Sequence, residues 1–160
     1  MPQIAPCLWF DGQAEAAANF YVSVFPDAAV DTVSRYGAGA PFPAGTALMV
    51  AFHLCGRRFQ ALNGGPQFPF TEAISPSIPC KDAAEVDHYW DAQIADGGQE
   101  GHCGWLKDRY GVSWQVVPDG LAELLSDPDP ARAGRAMQAM MGMKKLDLAA
   151  MRAAMEGHAP

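Results

Sequence analysis

The sequence predicts an α+β fold of two tandem βαβββ modules followed by C-terminal helices. Two ordered internal repeats and an alternation of hydrophobic periods carry that prediction. Ile4-Ala5-Pro6-Cys7-Leu8 and Ile74-Ser75-Pro76-Ser77-Ile78 share the pattern I-x-P-x-aliphatic. Gly56-Arg57-Arg58-Phe59-Gln60-Ala61-Leu62 and Gly111-Val112-Ser113-Trp114-Gln115-Val116-Val117 share G-x-x-aromatic-Gln-apolar-apolar. Both pairs run in the same order, which a chance match in a single heptad does not explain.

The elements follow in chain order. The I-x-P-x-aliphatic segments open each module as strands, with Ile4/Leu8 and Ile74/Ile78 expected beneath helices and Ala5/Cys7 and Ser75/Ser77 on the opposite face. Ala14, Ala17, Phe20, Tyr21, Val24 and Phe25 recur at helical spacing, as do Val86, Tyr89, Trp90 and Ile94. Asp11 and Asp82 precede these runs, where a carboxylate suits a helix start. Pro26 ends the first helix and Gly97-Gly98 the second. Strands at 29–36 and 46–54 precede the first Gln strand, with turns at 37–45 and at Cys55-Gly56. The second module compresses the same region into 99–107 and turns at 108–111. Module 1 spans about 3–63, module 2 about 73–118, and a helical extension 119–157, within a single domain 1–160. In the extension, Leu121, Leu124 and Leu125 mark a short helix. Asp129-Pro130 reads as an N-cap followed by Pro at the first helical position, with a helix to about 141. A last helix is expected over about 146–156.

Composition bounds the function. The chain has 160 residues, 49% of them hydrophobic, and a net charge of −7. Its pI near 4.9 argues against a nucleic-acid partner, which calls for a basic face. Apolar runs are short and broken by Gly or Pro, so no membrane helix is expected. The four cysteines, Cys7, Cys55, Cys80 and Cys103, form no CxxC pair. The N-terminus shows no signal-peptide pattern, and reduced thiols in a cytoplasmic protein are expected.

The run Leu8-Trp9-Phe10-Asp11-Gly12 carries a family resemblance, together with Phe20-Tyr21, Phe25-Pro26 and Leu62-Asn63-Gly64-Gly65. So does Cys103-Gly104-Trp105-Leu106-Lys107-Asp108, which leads to Gly111 and Trp114-Gln115. With the paired modules, they resemble the vicinal oxygen chelate superfamily, the glyoxalase/bleomycin-resistance/dioxygenase fold. Within it the chain is most similar to PhnB-like proteins, a group labelled "3-demethylubiquinone-9 3-methyltransferase". The resemblance implies a paired curved sheet around a cleft between the modules, and homodimers are common in the superfamily. It does not carry a methyltransferase reading. Enzymes that use S-adenosylmethionine ordinarily need a Gly-rich turn from strand to helix. Here Gly97-Gly98 follows a helix, and Gly64-Gly65 leads into Pro66.

Metal-dependent members of the superfamily place His and Glu ligands on the first and last strands of each module. At the equivalent positions this chain offers Gln60, Gln115, one of Ala5/Cys7 and one of Ser75/Ser77. Neutral amides and hydroxyls are poor partners for a transition metal, so no metal and no cofactor is expected. The expected ligand-binding residues of the cleft are Cys7, Trp9, Gln60, Asn63, Ser75, Ser77, Cys103, Trp105 and Gln115. The tryptophans would wall a planar or oxygenated small molecule and the glutamines orient it. Among the histidines, His53 stands out because a strand position can face such a cleft. Met137, Met140, Met141, Met143, Met151 and Met155 fall mostly at helical spacing in the extension, which suits core or interface packing and, with the resemblance, a homodimer. An enzyme acting on a small oxygenated or aromatic compound and a ligand-sequestering protein of the bleomycin-resistance type are both compatible with these residues.

Overall fold

In the computed structural model, which describes residues 2–158, the repeats become two mixed four-stranded sheets, one in each of two units, Met1–Phe70 and Thr71–Pro160. The first unit runs β1 (Cys7–Phe10), α1 (Ala14–Val24), β2 (Ala28–Arg35), β3 (Ala47–Leu54) and β4 (Arg57–Asn63). Its strand order is β1-β4-β3-β2, with β1 parallel to β4 and the other pairs antiparallel. The second unit repeats the plan with β5 (Ser77–Cys80), α2 (Ala83–Ile94), β6 (Gln99–Glu100), β7 (Trp105–Lys107) and β8 (Ser113–Pro118). Its order, β5-β8-β7-β6, is the same, with β6 and β7 shorter than their counterparts β2 and β3. α3 (Leu121–Leu125), α4 (Pro130–Met141) and α5 (Leu148–Met155) follow.

Alternation along the strands divides each sheet into a buried and a polar face. Leu8, Phe10, Val50, Phe52, Leu54 and Ala61 are buried in the first unit together with Ala14, Ala17, Ala18 and Tyr21 of α1. Ile78, Cys80, Leu106, Trp114 and Val116 are buried in the second, as are Val86, Tyr89 and Trp90 of α2. Two expected core residues depart from this. Ile4 is 97% and Ile74 80% exposed, because each lies upstream of the residue where its strand begins.

The helix starts also differ between the copies. Asp82 caps α2 by accepting the Glu85 N–H at 2.9 Å. Asp11 does not cap α1; instead the Ala14 N–H donates to Asn63 Oδ1 at 2.9 Å. A side chain 49 residues downstream thus does the work that sequence proximity assigns to Asp11.

The extension builds its own small core of Leu124, Ala136, Met151 and Met155. Asp129 caps α4 ahead of Pro130, as expected. α5 begins later than expected, at Leu148, because Asp147 takes the Ala150 N–H and fixes the start there. Arg135 Nε closes the other end by donating to the Met155 carbonyl at 2.8 Å. No helix among the described residues is long and apolar enough to cross a membrane.

Candidate functional site

The two glutamines of the repeat occupy matching positions. The Gln60 N–H donates to Pro6 O at 2.9 Å, and the Gln115 N–H to Pro76 O at 3.0 Å. In register, Cys7 stands beside Gln60 and Ser77 beside Gln115. Both pairs lie on the polar face of their sheet, because their strand neighbours Leu8, Ala61, Ile78 and Val116 are buried on the other.

In the first unit, Cys7, Gln60 and Ala51 form one cross-strand row, and Trp9, Leu62 and Met49 form the next. Trp9 is fixed there: its Nε1 donates to Gly65 O at 2.8 Å and its ring meets Phe68 edge-on at 4.9 Å. A side chain at position 64 would collide with that indole, which explains Gly64 without any demand on its backbone angles. Partial burial pushes the Cys7 thiol up, so at neutral pH it stays protonated and is a weak nucleophile. On the same face His53 Nδ1 meets Asp31 Oδ1 at 2.8 Å. Asp31 escaped the sequence reading, since it sits at a bulge in β2 that breaks the alternation.

In the second unit, Ser77, Gln115 and Trp105 form the corresponding row. Gln115 Nε2 donates to Ser75 Oγ at 2.9 Å, which orients the amide from outside the strand. One register step away stand Ser113 and Lys107. A cavity of about 160 Å³ is lined by Glu72, Gln99, Glu100, Gly101, Trp105, Leu106, Lys107 and Ser113. Sequence reasoning missed Ser113 and Lys107 because only the strand register shows that they are neighbours on the face of Gln115.

Two candidates take structural positions instead. Asn63 is 1% exposed, and both ends of its amide are bonded within the fold, Oδ1 to Ala14 N and Nδ2 to Ala47 O at 2.8 Å. It therefore lies on the buried face, where alternation from Gln60 places it, and not on the polar face expected for a ligand contact. Cys103 joins the second sheet to the extension: its N–H donates to Met143 O at 2.8 Å, and its thiol to Met140 O at 3.6 Å. Gly104 continues that junction by donating to Lys144 O. Its φ is +82°, and a Cβ there would lie 2.7 Å from Val116 O and 2.9 Å from Leu146 Cδ1, so only glycine fits. Cys80 is fully buried, and burial aided by Glu85 and Asp119 pushes its thiol up to about 11, leaving it inert.

Asp108 emerges as the organiser of the β7–β8 turn. Its Oδ1 accepts from Tyr110 N and Val112 N, and its Oδ2 accepts from Trp114 Nε1 at 2.9 Å. The Lys107–Gly111 motif thus owes its carboxylate to folding.

The positions expected to match the superfamily's metal ligands carry Gln60, Gln115, Ala5 or Cys7, and Ser75 or Ser77, with no imidazole and no carboxylate. Among the described residues no three His, Cys, Asp or Glu side chains gather closely enough to share an ion. This donor set does not fit a resident transition metal.

The two units repeat one βαβββ plan, the glyoxalase/bleomycin-resistance/dioxygenase type of fold. The family model described as "3-demethylubiquinone-9 3-methyltransferase" matches residues 2–117, and the chain belongs to that family. Among solved structures, a putative 3-demethylubiquinone-9 3-methyltransferase, PhnB protein, from Bacillus cereus is 32% identical, covering 73% of this chain and 99% of its own, with a TM-score of 0.68. Protein PA1353 from Pseudomonas aeruginosa is 22% identical over 74% of this chain and 98% of its own, with a TM-score of 0.60. The fosfomycin resistance protein FosX from Listeria monocytogenes, complexed with Mn(II) and sulfate, shares the fold at 13% identity and a TM-score of 0.51, covering 78% of this chain and 94% of its own. No match was found among curated proteins.

Proposed function

We propose that the chain binds a small oxygenated or aromatic molecule on the polar faces of its sheets, without a tightly held metal. The observation that carries this reading is the equivalence of Gln60 and Gln115, each beside the first strand of its module and each on the face turned away from the helix. A primary amide supplies both a donor and an acceptor, which suits a neutral oxygenated group. Trp9 and Trp105 stand on the same faces and add flat apolar area. Methyl transfer from S-adenosylmethionine finds no support in sheets of this topology, whose first strands feed helices through Asp11-Gly12 and Lys81-Asp82 turns and not through a Gly-rich phosphate loop. FosX holds Mn(II); the amides, thiol and hydroxyls here favour metal-free binding.

A second reading, sequestration without turnover, is favoured by the rigid seating of Trp9 against Gly65 and Phe68. One experiment separates the readings. Oxygenated and aromatic compounds are screened by tryptophan fluorescence, and each hit is recovered and analysed by mass spectrometry. Binding that Gln60→Ala and Gln115→Ala weaken supports the site; recovery of an altered compound identifies an enzyme and of an unaltered one a sequestering protein. A hit list unaffected by both substitutions removes the site. We also propose a cytoplasmic homodimer, paired through the Met-bearing extension.

A further inference from the structure

We infer that the 160 Å³ cavity of the second unit takes a small oxyanion, a carboxylate or phosphate group, for which the Glu72 carboxylate is an internal stand-in. The inference rests on the reading that the polar sheet faces bind a ligand, and it names the chemical class at one of them.

Three observations support it. Ser113 is 1% exposed, and its Oγ has no hydrogen-bond partner among the described residues. A buried hydroxyl left unpaired is costly, so this donor calls for an acceptor brought from outside the chain. Its cross-strand neighbour is Lys107, whose Nζ lies 2.6 Å from Glu72 Oε1. A cation and a hydroxyl on one strand pair thus line the same cavity, and an oxyanion satisfies both.

The lining carboxylates differ in what holds them. Glu100 is engaged elsewhere, accepting from Trp90 Nε1 and from Lys144 Nζ at 2.9 Å. Glu72 lies outside the strands, its side chain 62% exposed against 34% for Lys107. An ion pair so open to water contributes little to stability, so the carboxylate can swing out when another anion arrives. Lys107 stays, because it belongs to β7. At about 160 Å³ the cavity has room for a carboxylate or phosphate group. Trp105, half-buried in the lining, is placed to report occupancy.

The test titrates acetate and, separately, inorganic phosphate into the full ¹⁵N-labelled chain at constant ionic strength, following the Trp105 indole N–H by NMR. Saturable shifts are expected with at least one anion; the tighter of the two identifies carboxylate or phosphate as the preferred group. Glu72→Gln removes the competitor and should tighten binding. Lys107→Met should weaken it about tenfold or more, the scale of one charge-assisted hydrogen bond. Ser113→Ala, a small change that spares the fold, should weaken it several-fold. No response to either anion, unchanged affinity in Lys107→Met, or weaker binding in Glu72→Gln each overturns the inference. If the anions fail while neutral oxygenated compounds still move the Trp105 signal, the anion class is wrong and the ligand-binding reading stands. If nothing moves it and the Gln-dependent screen is also empty, both fall.

Discussion

Asn63 shows how one side chain can hold two elements together. Its amide joins the first amide of α1 to the Ala47 carbonyl at the start of β3, with no water-exposed alternative for either group. Removing it strands a buried donor and a buried acceptor, each costing roughly 1–3 kcal/mol. Asn63→Ala is therefore expected to lower stability by about 3 kcal/mol, read as a fall in the urea midpoint at unchanged slope. A loss within the surface range of about 0.5 kcal/mol would remove this role. The sequence placed Asn63 in a motif but assigned it to a ligand, because a pattern of residue types does not say which face of a strand a terminal position occupies. Counting by two from Gln60 would have put it on the buried side only with the strand's end known. Gln60 and Gln115 were legible because each follows an aromatic at the same place in a repeated heptad.

Helix starts were legible where the cap is local and opaque where it is not. Asp82, Asp129 and Asp147 each accept an N–H within three residues, which a sequence reading can anticipate from residue type and spacing. Asp11 has the right type near the right place, but α1 takes its cap across the sheet from Asn63. Paired substitutions separate the cases. Asp82→Ala and Asp129→Ala should each cost about 1 kcal/mol, whereas Asp11→Ala should stay within about 0.5 kcal/mol. Equal losses at Asp11 and Asp82 in thermal unfolding would mean that Asp11 does cap α1 in solution. The strands divide in the same way. Their order follows from the repeat, whereas the bulge that brings Asp31 to His53 depends on a register shift that no periodicity announces.

At the scale of the molecule, the extension is tied to the second module and still leaves apolar surface open. The Cys103 and Gly104 amides bond to Met143 and Lys144, Lys144 pairs with Glu100, and Lys145 pairs with Asp87. Met151 and Met155 are consumed in the small core beneath α4. Met137 and Met141, one turn apart on α4, are 41% and 65% exposed. Two flexible thioethers on one helical stripe suit a contact with a like stripe, and a two-fold pairing would bring α4 against its own mate. The helix between them carries little charge, and the net charge of −7 favours pairing through such a neutral face over the acidic remainder. Light scattering of the full chain at micromolar concentration is expected to give twice 17.1 kDa. Met137→Glu with Met141→Glu places carboxylates at positions already exposed, so the fold should survive with an unchanged circular dichroism spectrum. Across a two-fold these carboxylates would face one another, and the mass should fall to that of one chain. A wild-type protein that already scatters as a single chain, or a doubly substituted one that remains paired, would show that this stripe is not what joins two copies.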